Sequence, residues 1–249
     1  MTDHSIQALA DLLLQSERIA VLTGAGMSTE SGIPDFRSAN GLWTKDMTLA
    51  EAISIDYFRY DPRAFWTSFK DIFSIKMVGH FQPNKGHAFI AWLEEIGKQV
   101  TVLTQNIDGL HQQAGSRNVV ELHGTLLTAS CPACGAVHGL DYIKAHDVPE
   151  CHVCREVIKP DVVLYGEAVP HIEFAMECAT QADCLMVLGS SLEVSPVNYI
   201  PVAAVENNVP AALINLTGTR LDRLFKHRIA AGIGQTCETL RQAIEQSTG

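Results

Sequence analysis

The chain has 249 residues, 47% of them hydrophobic, so it is long enough to bury one large core and a small satellite core. Its 28 acidic and 18 basic side chains give a formal net charge of −10, which argues against nucleic acid as a partner because sequence-independent binding needs basic surface. We expect no signal peptide, because no basic segment precedes an apolar run at the amino terminus. We also expect no membrane partner, because no apolar run approaches the length of a membrane span.

Strand-like apolar runs alternate with helical patterns in the first half of the chain. The run Arg18–Thr23 predicts a buried strand that enters a glycine-rich turn, and further strands are predicted at residues 100–104 and 118–122. Helical periodicity covers residues 61–73 and 84–98. This alternation is typical of a parallel sheet covered by helices.

Two Cys-x-x-Cys pairs, separated by sixteen residues, interrupt the alternation. This spacing is typical of a tetrahedral zinc site with four thiolate ligands, and four thiolates leave no position for an activated water. We therefore predict one structural zinc ion; two disulfides or a redox dithiol are the alternatives. The predicted ligands are Cys131, Cys134, Cys151 and Cys154. His138 and His152 lie within this segment but outside ligand spacing, and we expect both to be solvated.

The remaining cysteines are Cys178, Cys184 and Cys237, an odd number in apolar surroundings. They are most simply explained as buried free thiols in a reducing compartment. We therefore expect a cytoplasmic protein.

After the cysteine segment the alternation resumes with predicted strands at 161–165, 184–188 and 211–216 and helices at 171–180, 196–207 and 237–246. We predict an α/β fold, a doubly wound, Rossmann-like parallel sheet with a small zinc-binding module and a helical lobe inserted. The predicted division assigns residues 1–44, 81–124 and 160–249 to the Rossmann-like domain, 45–80 to the helical lobe and 125–159 to the zinc-binding module.

Polar groups follow several predicted strands, where ligands bind in doubly wound folds. The turn Gly24-Ala-Gly26 resembles a phosphate-binding turn, but it lacks the third glycine of the dinucleotide fingerprint, so a plain tight turn remains an alternative. The segments 105–108, 121–124 and 189–191 and Asn215 supply amide, imidazole, carboxylate and hydroxyl groups at other strand ends. Such a concentration of polar groups predicts a binding crevice.

The sequence resembles the sirtuin family of NAD-dependent protein-lysine deacylases, and most closely its undifferentiated bacterial class. The matching stretches occur in family order: GAGMSTESGIPDFR (24–37), TQNIDGLHQQAGS (104–116), ELHG (121–124), the four cysteines, KPDVVLYGE (159–167), GSSLEVSP (189–196) and IN (214–215).

The resemblance implies that NAD is consumed as a co-substrate and that the Rossmann-like domain binds it. The implied cofactor-binding residues are Gly24, Ala25, Gly26, Thr29, Asp35, Phe36, Arg37, Gln105, Asn106, Ile107, Asp108, His123, Gly189, Ser190, Ser191 and Asn215. Within this set, Phe36 and Arg37 line the ribose and nicotinamide end, and residues 106–108 form the nicotinamide pocket.

His123 and Asn106 are the catalytic residues that the resemblance implies. The acyl-lysine carbonyl oxygen attacks C1′ of the ribose, nicotinamide leaves, and His123 acts as general base on a ribose hydroxyl. A near-neutral pKa suits imidazole to that role. A buried structural histidine is the alternative for His123, and we expect His111 either to support the residues that line the site or to be structural.

Acyl-lysine proteins or peptides are the implied partners, inserted as an extra strand beside Val163, Tyr165, Gly166 and Glu167. The helix bordering the acyl pocket carries Trp66 and Phe69 where desuccinylating sirtuins have Tyr and Arg. We therefore expect an apolar pocket that prefers acetyl over succinyl groups. An NAD-dependent ADP-ribosyltransferase is the alternative function, and a dehydrogenase or a zinc-knuckle nucleic-acid module fits the sequence less well.

Overall fold

A computed structural model describes residues 3–34 and 48–248. Over these residues the chain forms two sheets, one of six parallel strands and one of three antiparallel strands. The strands are β1 Arg18–Thr23, β2 Gln99–Thr104, β3 Val119–Glu121, β4 Gly124–Ser130, β5 Val137–Gly139, β6 Lys159–Val162, β7 Cys184–Leu188, β8 Ala211–Ile214 and β9 His227–Ile229. The α-helices are α1 Asp3–Gln15, α2 Leu49–Ala52, α3 Ile55–Tyr60, α4 Pro62–Val78, α5 Lys85–Glu95, α6 Leu110–Gln113, α7 Leu140–Ala145, α8 Ile172–Gln181, α9 Tyr199–Glu206 and α10 Ile233–Thr248.

The large sheet has the strand order β3-β2-β1-β7-β8-β9, and every pairing in it is parallel. The predicted doubly wound α/β fold is therefore confirmed. The chain proceeds outward from β1 in one direction and, after β7, in the other, which is the switch point where such sheets bind ligands. The short edge strand β9 was not predicted, because three residues with a charged centre give no apolar run.

Burial on both faces explains why the central strands of this sheet, such as β1 and β7, carry long apolar runs. Along β1, Ile19 and Val21 enter the core formed with α1, α5 and α10. Their neighbours Ala20 and Leu22 enter the opposite core, formed with α8 and α9. Successive side chains point to opposite faces of a strand, so β1, β2, β7 and β8 contribute to both cores. No helix of the described residues is both long and apolar enough to cross a membrane.

The small sheet has the order β5-β4-β6, and its pairings are antiparallel. The prediction that residues 161–165 form a strand of the parallel sheet is wrong, because β6 pairs with β4 instead. A short apolar run does not specify its pairing partner, which explains the error. The division of the chain into three parts at the stated boundaries stays a prediction.

Helix α4 packs against the small sheet on one side and contacts helices α2 and α3 on the other. Asp61 accepts a hydrogen bond from the main-chain N–H of Ala64 at 3.0 Å, and Pro62 begins the helix, as favoured at helix starts. The aromatic side chains along α4 are fully buried in a third core shared with β4, β6 and α7. Trp66 anchors them by donating from Nε1 to the carbonyl of Ile158 at 2.8 Å.

Candidate functional site

The carboxyl ends of the central strands are joined by main-chain hydrogen bonds. The N–H of Gly24 donates to the carbonyl of Leu188 at 3.1 Å, which ties the loop after β1 to the end of β7. On the other side of β1, the N–H of Gln105 donates to the carbonyl of Thr23 at 2.9 Å. The N–H of Gly189 donates to the carbonyl of Ile214 at 3.1 Å, which adds the end of β8. The predicted polar strand ends therefore lie side by side.

The glycine-rich turn after β1 packs main chain against main chain. Gly26 donates its N–H to the carbonyl of Gly189 at 2.9 Å, and a 3-10 helix, Ala25–Ser31, begins beside this contact. Gly189 has φ of +64°, and a Cβ there would lie 2.3 Å from the nitrogen of Met27. Glycine is needed at this crossing because any side chain would collide with the facing loop. The N–H groups of Gly24 and Gly26 are thus both used to hold this turn against the ends of the neighbouring strands.

Asn106 and Asp108 are held together by Ser28, a residue that the sequence analysis did not single out. The side-chain amide of Asn106 donates to the carbonyl of Gly24 at 3.1 Å and to Oγ of Ser28 at 3.0 Å. Ser28 in turn donates its hydroxyl to the Asp108 carboxylate at 2.7 Å. Ser28 lies within the matching stretch 24–37, and its place in that motif was the signal that could have identified it.

Ser190 is the meeting point of the Gln105 and Asn215 side chains. Gln105 donates from Nε2 to Oγ of Ser190 at 2.9 Å, and Asn215 donates from Nδ2 to the Ser190 carbonyl at 3.2 Å. Ser191 follows as a partly buried residue. These contacts bring together groups that are 85 and 25 residues apart in the sequence.

His123 follows β3 and is partly buried. Its Nδ1 lies 3.2 Å from the main-chain carbonyl of Gln105, which accepts a hydrogen bond from an Nδ1–H tautomer. That tautomer leaves Nε2 as the basic nitrogen. Burial lowers the pKa of His123, and the hydrogen bond to Gln105 opposes this shift. The imidazole is therefore neutral at physiological pH, as a general base requires.

A second acidic group borders the site. Burial raises the pKa of Glu121, the nearby Asp108 carboxylate raises it further, and a hydrogen bond from Gln112 at 3.0 Å lowers it. Glu121 at the end of β3 and Asp108 in the loop after β2 thus place two interacting carboxyl groups at this side of the site.

Three other predicted cofactor-binding positions, Thr29, Ala25 and Ile107, make fewer contacts within the site. Thr29 donates its hydroxyl to the carbonyl of Gly26 at 2.9 Å, and Ala25 is partly buried at the start of the 3-10 helix. Ile107 is buried and belongs to the third core, where its carbonyl accepts from the N–H of Leu126 at 3.1 Å. The predicted residues Asp35, Phe36 and Arg37 lie outside the described residues.

The predicted peptide-binding segment lies directly beside His123. The N–H of Val163 donates to the His123 carbonyl at 2.9 Å, so this segment continues β6 past the histidine. Tyr165 is about half exposed, while its main chain pairs with Ile53 and Ile55 at 3.0 and 2.9 Å. Glu167 accepts from the N–H of Leu164 at 2.8 Å and from Lys159 at 2.9 Å. A cavity of about 540 Å³, lined by Val163, Gly166 and Glu167 among others, adjoins the segment.

The four predicted zinc ligands converge on one point. Their sulfur atoms all lie within 4.8 Å of one another, and the closest pair is Cys131 and Cys154 at 3.4 Å. A disulfide requires about 2.05 Å, so the four cysteines are unpaired thiols placed to bind one metal ion. A four-sulfur set of this kind suits zinc and fills its coordination sphere.

The expectation that both histidines of the zinc module are solvated is wrong for His138. Its side chain is only 4% exposed, and its ring packs against Tyr142 with centroids 4.7 Å apart. His152 is exposed, with Nδ1 3.3 Å from Nδ1 of His138. Spacing excluded His138 as a ligand but could not show that α7 covers it. Among the other cysteines, Cys184 and Cys237 are buried as expected, and Cys178 is only partly buried.

A doubly wound sheet with a glycine-rich turn at its switch point and polar strand ends around that turn defines a Rossmann-like, dinucleotide-binding class of protein. The model of the Sir2 family matches residues 24–196, and the chain belongs to that family. Similar proteins include the NAD-dependent protein deacetylase of Chromobacterium violaceum, 63% identical over 240 residues that cover 96% of this chain and 98% of the relative. The NAD-dependent protein deacetylase 2 of Geobacillus kaustophilus is 53% identical over 242 residues, which cover 96% and 98%.

Solved structures agree with this assignment. One, described as "Structural Basis for the Mechanism and Regulation of Sir2 Enzymes", superposes with a TM-score of 0.86 at 36% identity, covering 99% of this chain and 100% of the other. Another, described as "Sir2-p53 peptide-NAD+", has a TM-score of 0.82 at 33% identity and covers 98% of each chain.

Proposed function

We propose that this chain is an NAD-dependent protein-lysine deacetylase, which transfers the acyl group of an acyl-lysine to ADP-ribose and releases nicotinamide and O-acyl-ADP-ribose. The observation that carries the proposal is the position of His123. Its basic nitrogen is left free beside the polar ends of β1, β2 and β7, and its own carbonyl is bonded to the predicted peptide-binding segment. A neutral general base therefore lies between the proposed dinucleotide-binding crevice and the proposed peptide-binding segment.

In this proposal NAD lies across the carboxyl ends of the parallel strands. The turn 24–26 faces the diphosphate, because its glycines allow a phosphate to approach the main chain closely. Gln105, Ser190 and Asn215 already form one hydrogen-bonded group and would bind ribose hydroxyls and the adenosine side. The same chemistry is supported by the relatives, which are named NAD-dependent protein deacetylases.

Asn106, Ser28 and Asp108 would form the polar wall of the nicotinamide pocket. Their hydrogen bonds, 3.0 and 2.7 Å long, fix the amide and the carboxylate before any ligand enters. Such preorganisation matters, because groups that are already oriented need no rearrangement as the reaction proceeds. Ile107 would close the pocket with an apolar side chain that is itself anchored in the third core.

NAD supplies an electrophilic C1′ and a neutral leaving group, nicotinamide. The carbonyl oxygen of the acyl-lysine forms the new bond to C1′ as the bond to nicotinamide breaks. His123 then accepts a proton at Nε2 from a ribose hydroxyl, and that oxygen attacks the former carbonyl carbon. Addition of water and departure of the lysine amine complete the transfer. General-base catalysis of this kind contributes about 10² to 10⁴-fold to a rate.

The substrate peptide would enter as a strand beside residues 163–167. Main-chain hydrogen bonds would provide its affinity with little dependence on sequence. Because Val163 is bonded to the His123 carbonyl, a peptide held at this segment delivers its lysine next to the base. Acyl-lysine proteins or peptides are thus the proposed partners, and we propose neither nucleic acid nor membrane as a partner.

We further propose that the acyl pocket is apolar. Trp66 and Phe69 are fully buried in the same core as Ile107, which would line the nicotinamide pocket. Lys70 does not supply a counter-charge there, because its ammonium donates to the carbonyls of Ile143, at 2.8 Å, and His146 in the zinc module. An acyl chain ending in a carboxylate would meet no described cation of this helix and would be costly to bury.

The zinc ion would be structural, since four thiolates leave no site for water. We also propose a cytoplasmic location, because all seven cysteines are free thiols and such thiols stay reduced in the cytoplasm.

The test is mass spectrometry of the products formed from NAD and an acetyl-lysine peptide. The proposal requires free lysine peptide, nicotinamide and acetyl-ADP-ribose in equal amounts. An ADP-ribosylated peptide would instead support the ADP-ribosyltransferase alternative, and reduced cofactor would support a dehydrogenase. The same peptide with an unmodified lysine is the matched control, and it should form no acetyl-ADP-ribose.

A further inference from the structure

A chain of buried hydrogen bonds runs behind the polar wall of the proposed nicotinamide pocket. Nε2 of His111, in α6, lies 3.0 Å from the hydroxyl oxygen of Thr23 at the end of β1. Thr23 donates its hydroxyl to the hydroxyl oxygen of Thr104, at the end of β2, at 2.8 Å. The main-chain N–H of Asn106 donates to the same Thr104 oxygen at 3.0 Å. His111, Thr23 and Thr104 are each no more than 2% exposed.

The direction of the chain follows from its donors. Thr23 uses its only hydroxyl proton toward Thr104, so its oxygen is available to accept from an Nε2–H of His111. Thr104 accepts both from Thr23 and from the Asn106 main chain. The donors thus run from His111 through Thr23 to the Thr104 oxygen, and the main-chain N–H of Asn106 donates to that same oxygen from the other side. In a buried environment the two aligned bonds, from His111 to Thr23 and from Thr23 to Thr104, strengthen one another and hold the oxygen that Asn106 binds.

A second imidazole keeps His111 in place. The ring of His87, in the first turn of α5, lies with its centroid 4.7 Å from that of His111. Nδ1 of His87 accepts from the main-chain N–H of Asn84 at 3.3 Å, and the Asn84 side chain donates to the carbonyl of Met27 at 2.8 Å. Burial lowers the pKa of His87 to about 4 and that of His111 to about 3, so both rings are neutral at physiological pH.

We propose that His111, acting through Thr23 and Thr104, is a positioning residue that fixes the main chain of Asn106 in the nicotinamide pocket. This inference rests on the proposed function. The side chain of Asn106 makes its two hydrogen bonds, to Gly24 and Ser28, only while its main chain stays in place. A displacement of about 1 Å in such a constellation can reduce a rate about a hundredfold.

Threonine and valine have nearly the same shape, so Thr23→Val removes the central hydroxyl with little change in packing. We expect Thr23→Val to lower kcat for deacetylation by about tenfold to a hundredfold and to weaken inhibition by added nicotinamide, with the KM for the peptide unchanged. Thr23→Ser, which restores the hydroxyl, should recover most of the lost kcat.

A matched control separates positioning from stability. Thr236 in α10 is fully buried, and its hydroxyl donates to the carbonyl of Gly232 at 2.7 Å, outside the chain of hydrogen bonds between His111 and Asn106. Thr236→Val makes the same chemical change and should lower the melting temperature without lowering kcat. All assays are made on the full chain well below the melting temperature of the least stable variant.

A kcat for Thr23→Val equal to that of Thr236→Val would overturn the inference. Should Thr23→Val fail to fold, the pair His111→Gln and His111→Leu decides, since only glutamine retains an N–H donor near the position of Nε2. Equal kcat values for that pair would also overturn it. If the unaltered chain forms no acetyl-ADP-ribose, the proposed function has failed instead, so the two failures are distinguishable.

Discussion

The close contact between Gly189 and the turn after β1 predicts that one methyl group added at position 189 lowers the stability of the protein markedly. In Gly189→Ala the new Cβ would lie 2.3 Å from the nitrogen of Met27 and 2.5 Å from the main-chain carbon of Gly26, where ordinary contact begins at 3.4 Å. The two loops must therefore separate by about 1 Å, and overpacking of this kind costs about 1 to 3 kcal/mol. The positive φ of 64° adds about 1 to 2 kcal/mol for any L-residue.

Gly97 offers a control that isolates the collision. It also has a positive φ, of 93°, but a Cβ there would meet no heavy atom within 4 Å. Gly97→Ala therefore carries the conformational cost without the overpacking. The unfolded-state effect of replacing glycine is the same in both variants and cancels in the comparison.

The measurement is denaturant unfolding and thermal melting of both variants, together with the KM for NAD. Gly189→Ala should be less stable than Gly97→Ala by about 1 to 3 kcal/mol, or about 2 to 12 °C in Tm for a chain of this size. Only Gly189→Ala should raise the KM for NAD. Equal stabilities and equal KM values for the two variants would refute the argument that main-chain contact at this crossing shapes the site.

Five further predictions concern the base, the metal site, the buried histidines and the acyl pocket. His123→Ala should lower kcat by about 10² to 10⁴-fold with NAD binding retained, and a loss below about tenfold would exclude the general-base role. For the unaltered chain, kcat/KM should fall as the pH drops through the lowered pKa of His123, because protonation removes the base. Cys131→Ser should release zinc and lower Tm while circular dichroism still reports the large sheet; a retained equivalent of zinc by metal analysis would contradict the four-thiolate site. Below about pH 6.5 the free energy of unfolding should decrease by up to about 1.4 kcal/mol per pH unit for each of His87 and His111. The reason is that only the unfolded chain takes up these two protons until the pH reaches the folded pKa values of about 4 and 3. A free energy of unfolding that does not change with pH in this range would contradict the burial of both rings in the neutral form. Finally, kcat/KM for an acetyl-lysine peptide should exceed that for its succinyl-lysine counterpart, and equal values would contradict the apolar pocket.

The sequence was sufficient to predict the central strands and the zinc ligands, because both follow local rules. The run Arg18–Thr23 is apolar without interruption, as a strand buried on two faces must be. The cysteine spacing likewise reflects the geometry of a single ion. The site residues were predicted from the motifs that the chain shares with the family it resembles. The structure brings four of them together at one edge of the sheet: Gln105, Asn106, Ser190 and Asn215.

Features that depend on pairing between distant segments could not be predicted in this way. The apolar run around β6 gave no sign that it would pair with β4, and the polarity of His138 gave no sign that α7 would cover it. The role inferred for His111 depends on two threonines 81 residues apart, whose hydroxyl contact exists only once β1 and β2 are paired in register.

The junction of the two sheets has a consequence for any attempt to remodel the protein. Gly124 begins β4 immediately after His123, with φ of +74° and with Val162 of β6 as its register partner. The peptide segment then leaves β6 through the hydrogen bond from Val163 to the His123 carbonyl. A short linker in place of residues 125–159 would remove all of β4 except Gly124 and would leave residues 160–162 of β6 without most of their pairing partners, which weakens the support beside the histidine. The metal-bearing insertion is therefore not a detachable appendage, and a module transplanted from a relative would have to bring both of its pairing strands.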